Sequence, residues 1–204
     1  MSLQEEYLEL LKQDVIGAAQ RLLGATLVYG DLRAEIVETE AYRAADDPGC
    51  HAFYGRTKRT EIMFGEPGTA YVYFTYGNHW MLNLVAHEAG NAAAILIRAA
   101  RPISGLEQMA SRRPKAVGEK GLLSGPGKLC AAFQINANHY GLPLLDLNQN
   151  LRIELASQPC KEVLTGPRIG LADGKGDLLP WRFADGEQLE WVSKPIGSLQ
   201  RKEI

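Results

Sequence analysis

The sequence has no apolar run approaching the roughly 20 residues that a membrane helix needs. Its opening stretch, MSLQEEYLELLKQD, is acidic where a secretory leader is basic. Neither a membrane-bound nor an exported chain is expected, and the cytoplasm is the expected compartment. Cysteine is scarce: Cys50, Cys130 and Cys160 stand far apart, without the C-x-x-C spacing of zinc and redox sites. They read as free, reduced thiols, and no metal or other cofactor is expected. Positive charge is not in excess either, since 22 Lys and Arg face 24 Asp and Glu for a formal net charge of −2. That balance excludes a basic coat for nucleic acid but permits a local basic face. Internal repeats, low-complexity tracts and linker-like stretches are also missing, so one domain over residues 1–204, acting as a monomer, is expected.

What is present is an ordinary globular composition, 46% apolar and 23% charged, sufficient for a sizeable core. Ser2 with Glu5 forms a capping box opening a helix that breaks near Asp14, with Gly24 as a terminal cap. TLVYGDLRAEIVETEAY reads as a hairpin turning at Gly30-Asp31, TAYVYFTYGNHWMLNLVA as a second hairpin, and AAAILIRAA as an apolar strand. ISGLEQMASRR and GPGKLCAAFQI read as helices, and LRIEL, PRIGL, WRFA and LEWV as short strands between turns. The class is α+β. The glycine- and charge-rich stretch from Arg43 to Gly68 is longer than most connections, and such loops are often functional.

Three segments carry candidate chemistry. In AYVYFTYGNHWMLN the strand period puts Tyr71 and Tyr73 on one face and sends Val72 and Phe74 toward the core. Tyr76 then falls at a corner whose positive-φ positions are Gly77-Asn78, and it should protrude. An amphipathic core edge would explain the same tyrosines. In EIVETEAY, Glu38, Glu40 and Tyr42 share a face, with the carboxylates about 7 Å apart. A solvated edge strand would make that pair harmless; beside aromatic walls it is also how a general base is set up to activate water. His51 follows nearby in the long loop. LSGPGKL offers glycines and Lys128 at a helix start, which suits a phosphate but equally fits a plain Gly-Pro turn before a helix. It is not a Walker A loop, because Leu122 stands where the first glycine belongs and Leu129 replaces the Ser/Thr. Arg56, Lys58 and Arg59 in GRTKRT, and Arg112, Arg113 and Lys115 in SRRPK, are two basic clusters that could follow a phosphate backbone or simply be solvated.

Taken in order, EIVETEAY, His51, PGTAYVYFTYGNHWMLN, ILIRAARP and SGPGKLC resemble the alkyladenine (3-methyladenine) DNA glycosylase family, over about residues 15 to 195. The resemblance implies a curved, largely antiparallel sheet with a protruding hairpin and surrounding helices, acting on damaged double-stranded DNA without a cofactor. It implies that Glu40 deprotonates the attacking water, with Arg98 near the base and its water. Tyr42 would stack on a flipped-out base, with His51 and Tyr73 completing the pocket and Asn83 rejecting the 2-amino group of normal guanine. Tyr76 would fill the gap in the duplex with Asn78 beside it, and Lys128, Arg56 and Lys58 would meet the DNA. Electron-rich tyrosine faces would favour a positively charged alkylated purine. No lysine is in place for a Schiff base, so simple hydrolysis is expected. The family's mammalian members carry more apolar residues where this chain has Asn78, His79 and Trp80, and the stretch between Asn83 and Arg98 is slightly longer here. Two other readings stay open: a binding-only module stacking nucleic acid on Tyr71, Tyr73 and Tyr76, and a nucleoside or glycoside hydrolase using Glu38 and Glu40.

Overall fold

The structure, a computed structural model, describes residues 2–88, 91–194 and 200–201. Its first helix, α1 (Leu3–Gln13), begins as a capping box: Ser2 Oγ accepts from the Glu5 N–H, and the Ser2 N–H donates to Glu5 Oε2 over 2.6 Å. Asp14 ends α1 and opens α2 (Val15–Arg21), its carboxylate accepting the Gly17 N–H at 2.9 Å. Beyond α2 the chain turns at Gly24 with φ +82°, a conformation that glycine adopts without a Cβ clash.

Strands β1 (Thr26–Tyr29) and β2 (Leu32–Arg43) form the first hairpin, turning at Gly30-Asp31 as the sequence indicates. The second hairpin is β3 (Ala70–Thr75) and β4 (His79–Glu88), followed by the long β5 (Asn91–Ser104). Then come α3 (Leu106–Arg112), α4 (Lys120–Leu123) and α5 (Pro126–Phe133). The chain ends in short strands β6 (Leu151–Glu154), β7 (Val163–Gly166), β8 (Arg182–Asp185) and β9 (Gln200–Arg201). All pairings are antiparallel, in the order β3-β4-β5-β2-β8-β7-β9, with β1 joining β2 to β6. The result is a curled α+β sheet.

Both faces of the sheet centre are covered, which is why β5 is buried continuously from Ala92 to Ala100. Leu82, Leu84 and Ala86 of β4 join Ala93, Ile95 and Ile97 of β5 in the main core, beneath α1, α2 and α5. Alternation sends their neighbours Asn83, Val85, Ala94 and Leu96 to the opposite face. There a smaller cluster gathers Tyr71, Val85 and Ala94 with Cys50, Ala52 and Met63 from the long loop, which also contains a short 3-10 helix, Glu61–Phe64. No helix among the described residues is long and apolar enough to cross a membrane. The three cysteines are free, and burial pushes the Cys50 and Cys160 thiols up to about 12.

Four local expectations are corrected. PRIGL is not a strand; β7 precedes it, and Pro167, which has no N–H to offer a ladder, follows directly. In LEWV, residues Leu189–Trp191 form a 3-10 helix. Phe74 is 48% exposed rather than in the core, because it lies near the hairpin tip, beyond Ala70 and Val72, which join the main core; Phe74 packs instead on Trp80, directly opposite, at 5.0 Å between ring centroids. The positive-φ residues of the hairpin corner are Tyr76 (+53°) and Gly77 (+70°), one position earlier than expected, with the Asn78 N–H donating to Thr75 O. A tyrosine held there costs about 1–3 kcal/mol of local strain.

Candidate active site

Residues directly opposite each other in an antiparallel sheet share a face. Tyr71 pairs with Asn83, Asn83 with Leu96, Leu96 with Glu40, and Glu40 with Arg182, so one row crosses β3, β4, β5, β2 and β8. Arg98, two residues beyond Leu96, faces the same side by alternation, and the register slips beside it. Glu38 pairs with Ala99 while Thr39 pairs with Ile97, leaving Arg98 as the extra residue of β5. The Arg98 guanidinium comes between the two carboxylates, Nη1 at 3.2 Å from Glu40 Oε2 and Nε at 3.5 Å from Glu38 Oε1, while Nη2 donates to Ser193 Oγ. Burial works against its charge, but the Glu40 and Glu38 carboxylates outweigh this and raise its pKa, so Arg98 stays a cation.

The two glutamates, both fully buried, have different surroundings. Glu38 is committed to structure: Oε1 accepts from Arg182 Nε at 2.5 Å and Oε2 from the Ser193 N–H at 2.7 Å. Glu40 Oε1 accepts the Ile169 N–H at 2.7 Å, and its Oε2 accepts the Tyr42 hydroxyl at 2.7 Å as well as Arg98. Tyr42, Arg98 and Ile169 line a cavity of about 250 Å³; Glu40 lies just behind these three donors. His51, Tyr71, Tyr73, Asn83 and Met63 form other walls, and Tyr76 stands at the same cavity while remaining 76% exposed.

The walls are held by specific contacts. Asn83 Nδ2 donates to Tyr71 O at 3.1 Å. His51 Nδ1 lies 3.0 Å from the Tyr71 hydroxyl, and its ring meets Tyr73 edge-on at 4.8 Å. Desolvation, aided by the Arg59 charge, lowers the His51 pKa to about 4, so the ring is neutral at physiological pH. Burial raises the pKa of Tyr73, and burial together with the Glu40 carboxylate raises that of Tyr42, so both phenols keep their protons.

The remaining candidates lie outside the cavity. Arg56 and Lys58 are exposed on the long loop, with Arg56 resting 5.0 Å from the Phe64 ring centroid. Asn78 is exposed at the hairpin turn. Lys128 is exposed in the first turn of α5, its Nζ donating to Ser124 Oγ at 3.1 Å. Gly127 has a packing reason, since a Cβ there would come 2.8 Å from His79 Cγ. Arg112 and Arg113 are internal braces: Arg112 Nη1 donates to Ala132 O at 2.9 Å, and Arg113 Nη1 to Leu122 O at 2.6 Å. Among the described residues, no group of three His, Cys, Asp or Glu side chains could hold a metal ion.

Arg168 and Asp47 were not among the sequence candidates. Arg168 makes a buried, two-pronged ion pair with Asp47 (2.5 and 2.6 Å), donates to Ala41 O and Gly176 O, and lies 4.4 Å from the centroid of Tyr42. It precedes Ile169, so the pair fixes the loop that delivers an N–H to Glu40. Nothing in local periodicity links Asp47 to a residue 121 positions away; its traces are Gly176 and Gly49, where a Cβ would come 2.5 and 3.1 Å from Arg168 Nη2.

Residues 9–188 match the family described as Methylpurine-DNA glycosylase (MPG). The chain belongs to the methylpurine-DNA glycosylase family. A relative from Chlorobaculum parvum, provisionally named a 3-methyladenine DNA glycosylase, is 42% identical over 180 residues, 85% of this chain and 84% of its own length. Relatives under the same provisional name are 46% identical in Rhodopseudomonas palustris strain BisB18, over 87% of this chain and 85% of theirs, and 45% identical in Methanocella arvoryzae, over 82% and 85%. As a methylpurine-DNA glycosylase the chain is a DNA-repair hydrolase, and the binding-only reading gives way to an enzyme. Both glutamates have donors on both oxygens, but those of Glu40 (Tyr42, Arg98 and Ile169) line the cavity, whereas the hydrogen-bond donors to Glu38 (Arg182 and Ser193) do not, so Glu40 is the carboxylate directly behind the cavity.

Proposed function

We propose that this methylpurine-DNA glycosylase turns single alkylated or deaminated purine nucleotides out of duplex DNA into the Tyr42–Tyr73 cavity and cleaves the N-glycosidic bond by hydrolysis alone. The observation that carries this reading is the buried Glu40 behind a small aromatic cavity beside an exposed hairpin tyrosine. A base inside a duplex is out of reach, and extruding it costs a few kcal/mol. Tyr76 entering the vacated space offsets part of that cost. Stacking on Tyr42 returns about 1–3 kcal/mol and tolerates many purines. Hypoxanthine, ethenoadenine and 3-methyladenine are the expected substrates, and the buried Asn83 amide is the group expected to reject guanine's 2-amino group.

Cleavage follows the logic of glycoside hydrolysis. As the bond to the base lengthens, positive charge develops at the sugar C1′, and Glu40 stabilises it. Glu40 also takes a proton from the attacking water, whose oxygen forms the new bond to C1′, while the base departs with the electron pair of the broken bond. A cationic alkylpurine leaves neutral; a neutral purine must gain a proton as it leaves. Among the described residues no lysine lines the cavity, which supports hydrolysis without a Schiff base.

The test is single-turnover excision from duplexes containing one hypoxanthine or ethenoadenine, and from methylated genomic DNA, by wild type and Glu40→Gln. Base release by wild type alone, with damaged-DNA binding kept in the variant, is the expected result. Release by neither protein despite DNA binding, or equal release by both, rejects the mechanism.

A further inference from the structure

Two guanidiniums rest on the tyrosine walls of the cavity, and they differ in charge balance. Arg168 lies over Tyr42 and is neutralised by Asp47. Arg59 lies over Tyr73, its Cζ 4.9 Å from the ring centroid and its Nη2 3.4 Å from His51 Nε2. Neither arginine lines the cavity. Glu38 and Glu40 are matched by Arg182 and Arg98. Arg59 is exposed, and among the described residues no carboxylate lies within ion-pair distance of it. The wall formed by His51 and Tyr73 therefore carries one uncompensated positive charge.

A ring attracts a cation through its negative face. When a guanidinium already rests on that ring, a second cation stacked against the same wall meets a depleted π-system and direct repulsion across a few ångströms of low-dielectric material. A neutral purine meets no such repulsion. We infer that Arg59 is a specificity-determining residue that, from its seat on Tyr73, biases the cavity toward neutral damaged purines such as hypoxanthine and ethenoadenine and against positively charged N-alkylpurines. The inference rests on the glycosylase reading above, and it opposes the simple expectation that tyrosine walls favour cationic bases. His51 is itself held neutral beside Arg59 and adds no charge to the wall.

The experiment compares wild type, Arg59→Gln and Arg59→Lys in single-turnover excision at saturating enzyme, on matched duplexes carrying either 7-methylguanine, which is cationic, or hypoxanthine. Removing the charge should raise the ratio of 7-methylguanine to hypoxanthine excision about three- to fivefold, the size expected for one exposed cation–π contact. Arg59→Lys, which keeps a cation, should stay near the wild-type ratio. Arg59 is on the surface, so the fold should tolerate both changes. A ratio unchanged in Arg59→Gln while both rates fall and recover at low salt overturns the proposal and makes Arg59 a backbone contact. Wild type releasing both bases with no change of ratio in either variant rejects the role of Arg59 alone. Wild type releasing neither base rejects the glycosylase reading and this inference with it.

Discussion

Glu40 and Ile169 are 129 positions apart in the chain and meet through one hydrogen bond, the Ile169 N–H donating to Glu40 Oε1 over 2.7 Å. The donor is a backbone group, so its aim depends on whatever holds the loop. The neighbouring Arg168 does this, bound to Asp47 through both terminal nitrogens of its guanidinium fork and to Ala41 O and Gly176 O besides. Leaving one partner of such a buried pair alone costs about 3–5 kcal/mol. Asp47→Ala is therefore expected to lose that much stability in urea unfolding and to lose excision in the fraction that remains folded. Arg168→Lys, which retains the charge without the fork, should fall between. Stability within about 1 kcal/mol of wild type in Asp47→Ala, below the usual cost of a broken buried pair, would show that the pair does not hold the loop.

Two glycines of that same loop separate steric need from backbone freedom. Gly176 and Gly174 have nearly the same φ, +69° and +73°, but a Cβ on Gly176 would stand 2.5 Å from Arg168 Nη2 and 2.6 Å from Asp47 Oδ1, whereas one on Gly174 would meet nothing. Both alanine variants bear the strain of a left-handed residue, about 1 kcal/mol. Gly176→Ala should lose stability beyond that and reduce excision, while Gly174→Ala should remain active. Equal losses in the two would remove the steric argument.

The hairpins, the capping box and the apolar β5 were legible because each depends on residues close in sequence: alternation, turn glycines, a Ser and a Glu three apart. The same period put Glu38, Glu40 and Tyr42 on one face and paired Tyr71 with Tyr73; Tyr42, Tyr71 and Tyr73 line one cavity, and Arg98 meets both glutamates. What was not legible depends on distance along the chain or on a broken period. Arg98 was named only through the resemblance; that it bridges Glu38 and Glu40 depends on the pairing of β5 with β2, which pattern reading does not register. Phe74 has the alternation of a core residue, but it lies near the hairpin tip, beyond the part of β3 that joins the core. Arg168 was hidden in a segment read as a strand, and its partner lies in a loop. Arg112 and Arg113 looked like surface charge until the carbonyls they bind were visible.

Tyr42 has two separable assets, a ring face and a hydroxyl on Glu40 Oε2. Tyr42→Phe keeps the face and leaves Arg98 and Ile169 on the carboxylate, so excision should fall less than about tenfold, in keeping with one hydrogen bond of about 1–1.5 kcal/mol. Tyr42→Ala also loses the stacking surface, worth about 1–3 kcal/mol more. Its single-turnover rate should fall by about a hundredfold, corresponding to that sum. Identical rates for the two variants would mean that the ring does not contact the base.

Tyr76 combines local strain with an exposed side chain. Relieving φ +53° with Tyr76→Gly should stabilise the protein by about 0.5–1 kcal/mol, whereas Tyr76→Ala keeps the strain and should leave stability nearly unchanged. Both remove the group expected to fill the duplex, so both should lose about tenfold or more in excision from paired DNA, and much less from a damaged base in single-stranded DNA, where little unstacking is required. A gain in stability with a loss of activity is the signature of strain kept for function. If Tyr76→Gly excises paired substrates as well as wild type, the hairpin tip has no part in extrusion.

His51 gives a pH dependence whose sign is set by its environment. The folded protein holds its pKa at about 4, below the ordinary 6.5, because desolvation and then Arg59 disfavour the imidazolium. The folded state therefore binds the proton more weakly than the unfolded chain does. Its contribution to stability is complete above pH 6.5 and is lost as the pH falls from there through 4. The ring is accessible at the surface, so solvent screening limits the effect to about 1 kcal/mol. Urea midpoints at pH 7, 5 and 4 should drop less steeply for His51→Gln than for wild type, the carboxylates common to both cancelling in the difference. In Arg59→Gln the smaller of the two causes is removed, so the loss should still begin near pH 6.5 but end above pH 4, spanning a narrower range. Parallel curves for wild type and His51→Gln would mean that His51 titrates like a free imidazole, and the neutral ring beside Tyr71 and Tyr73 would no longer follow.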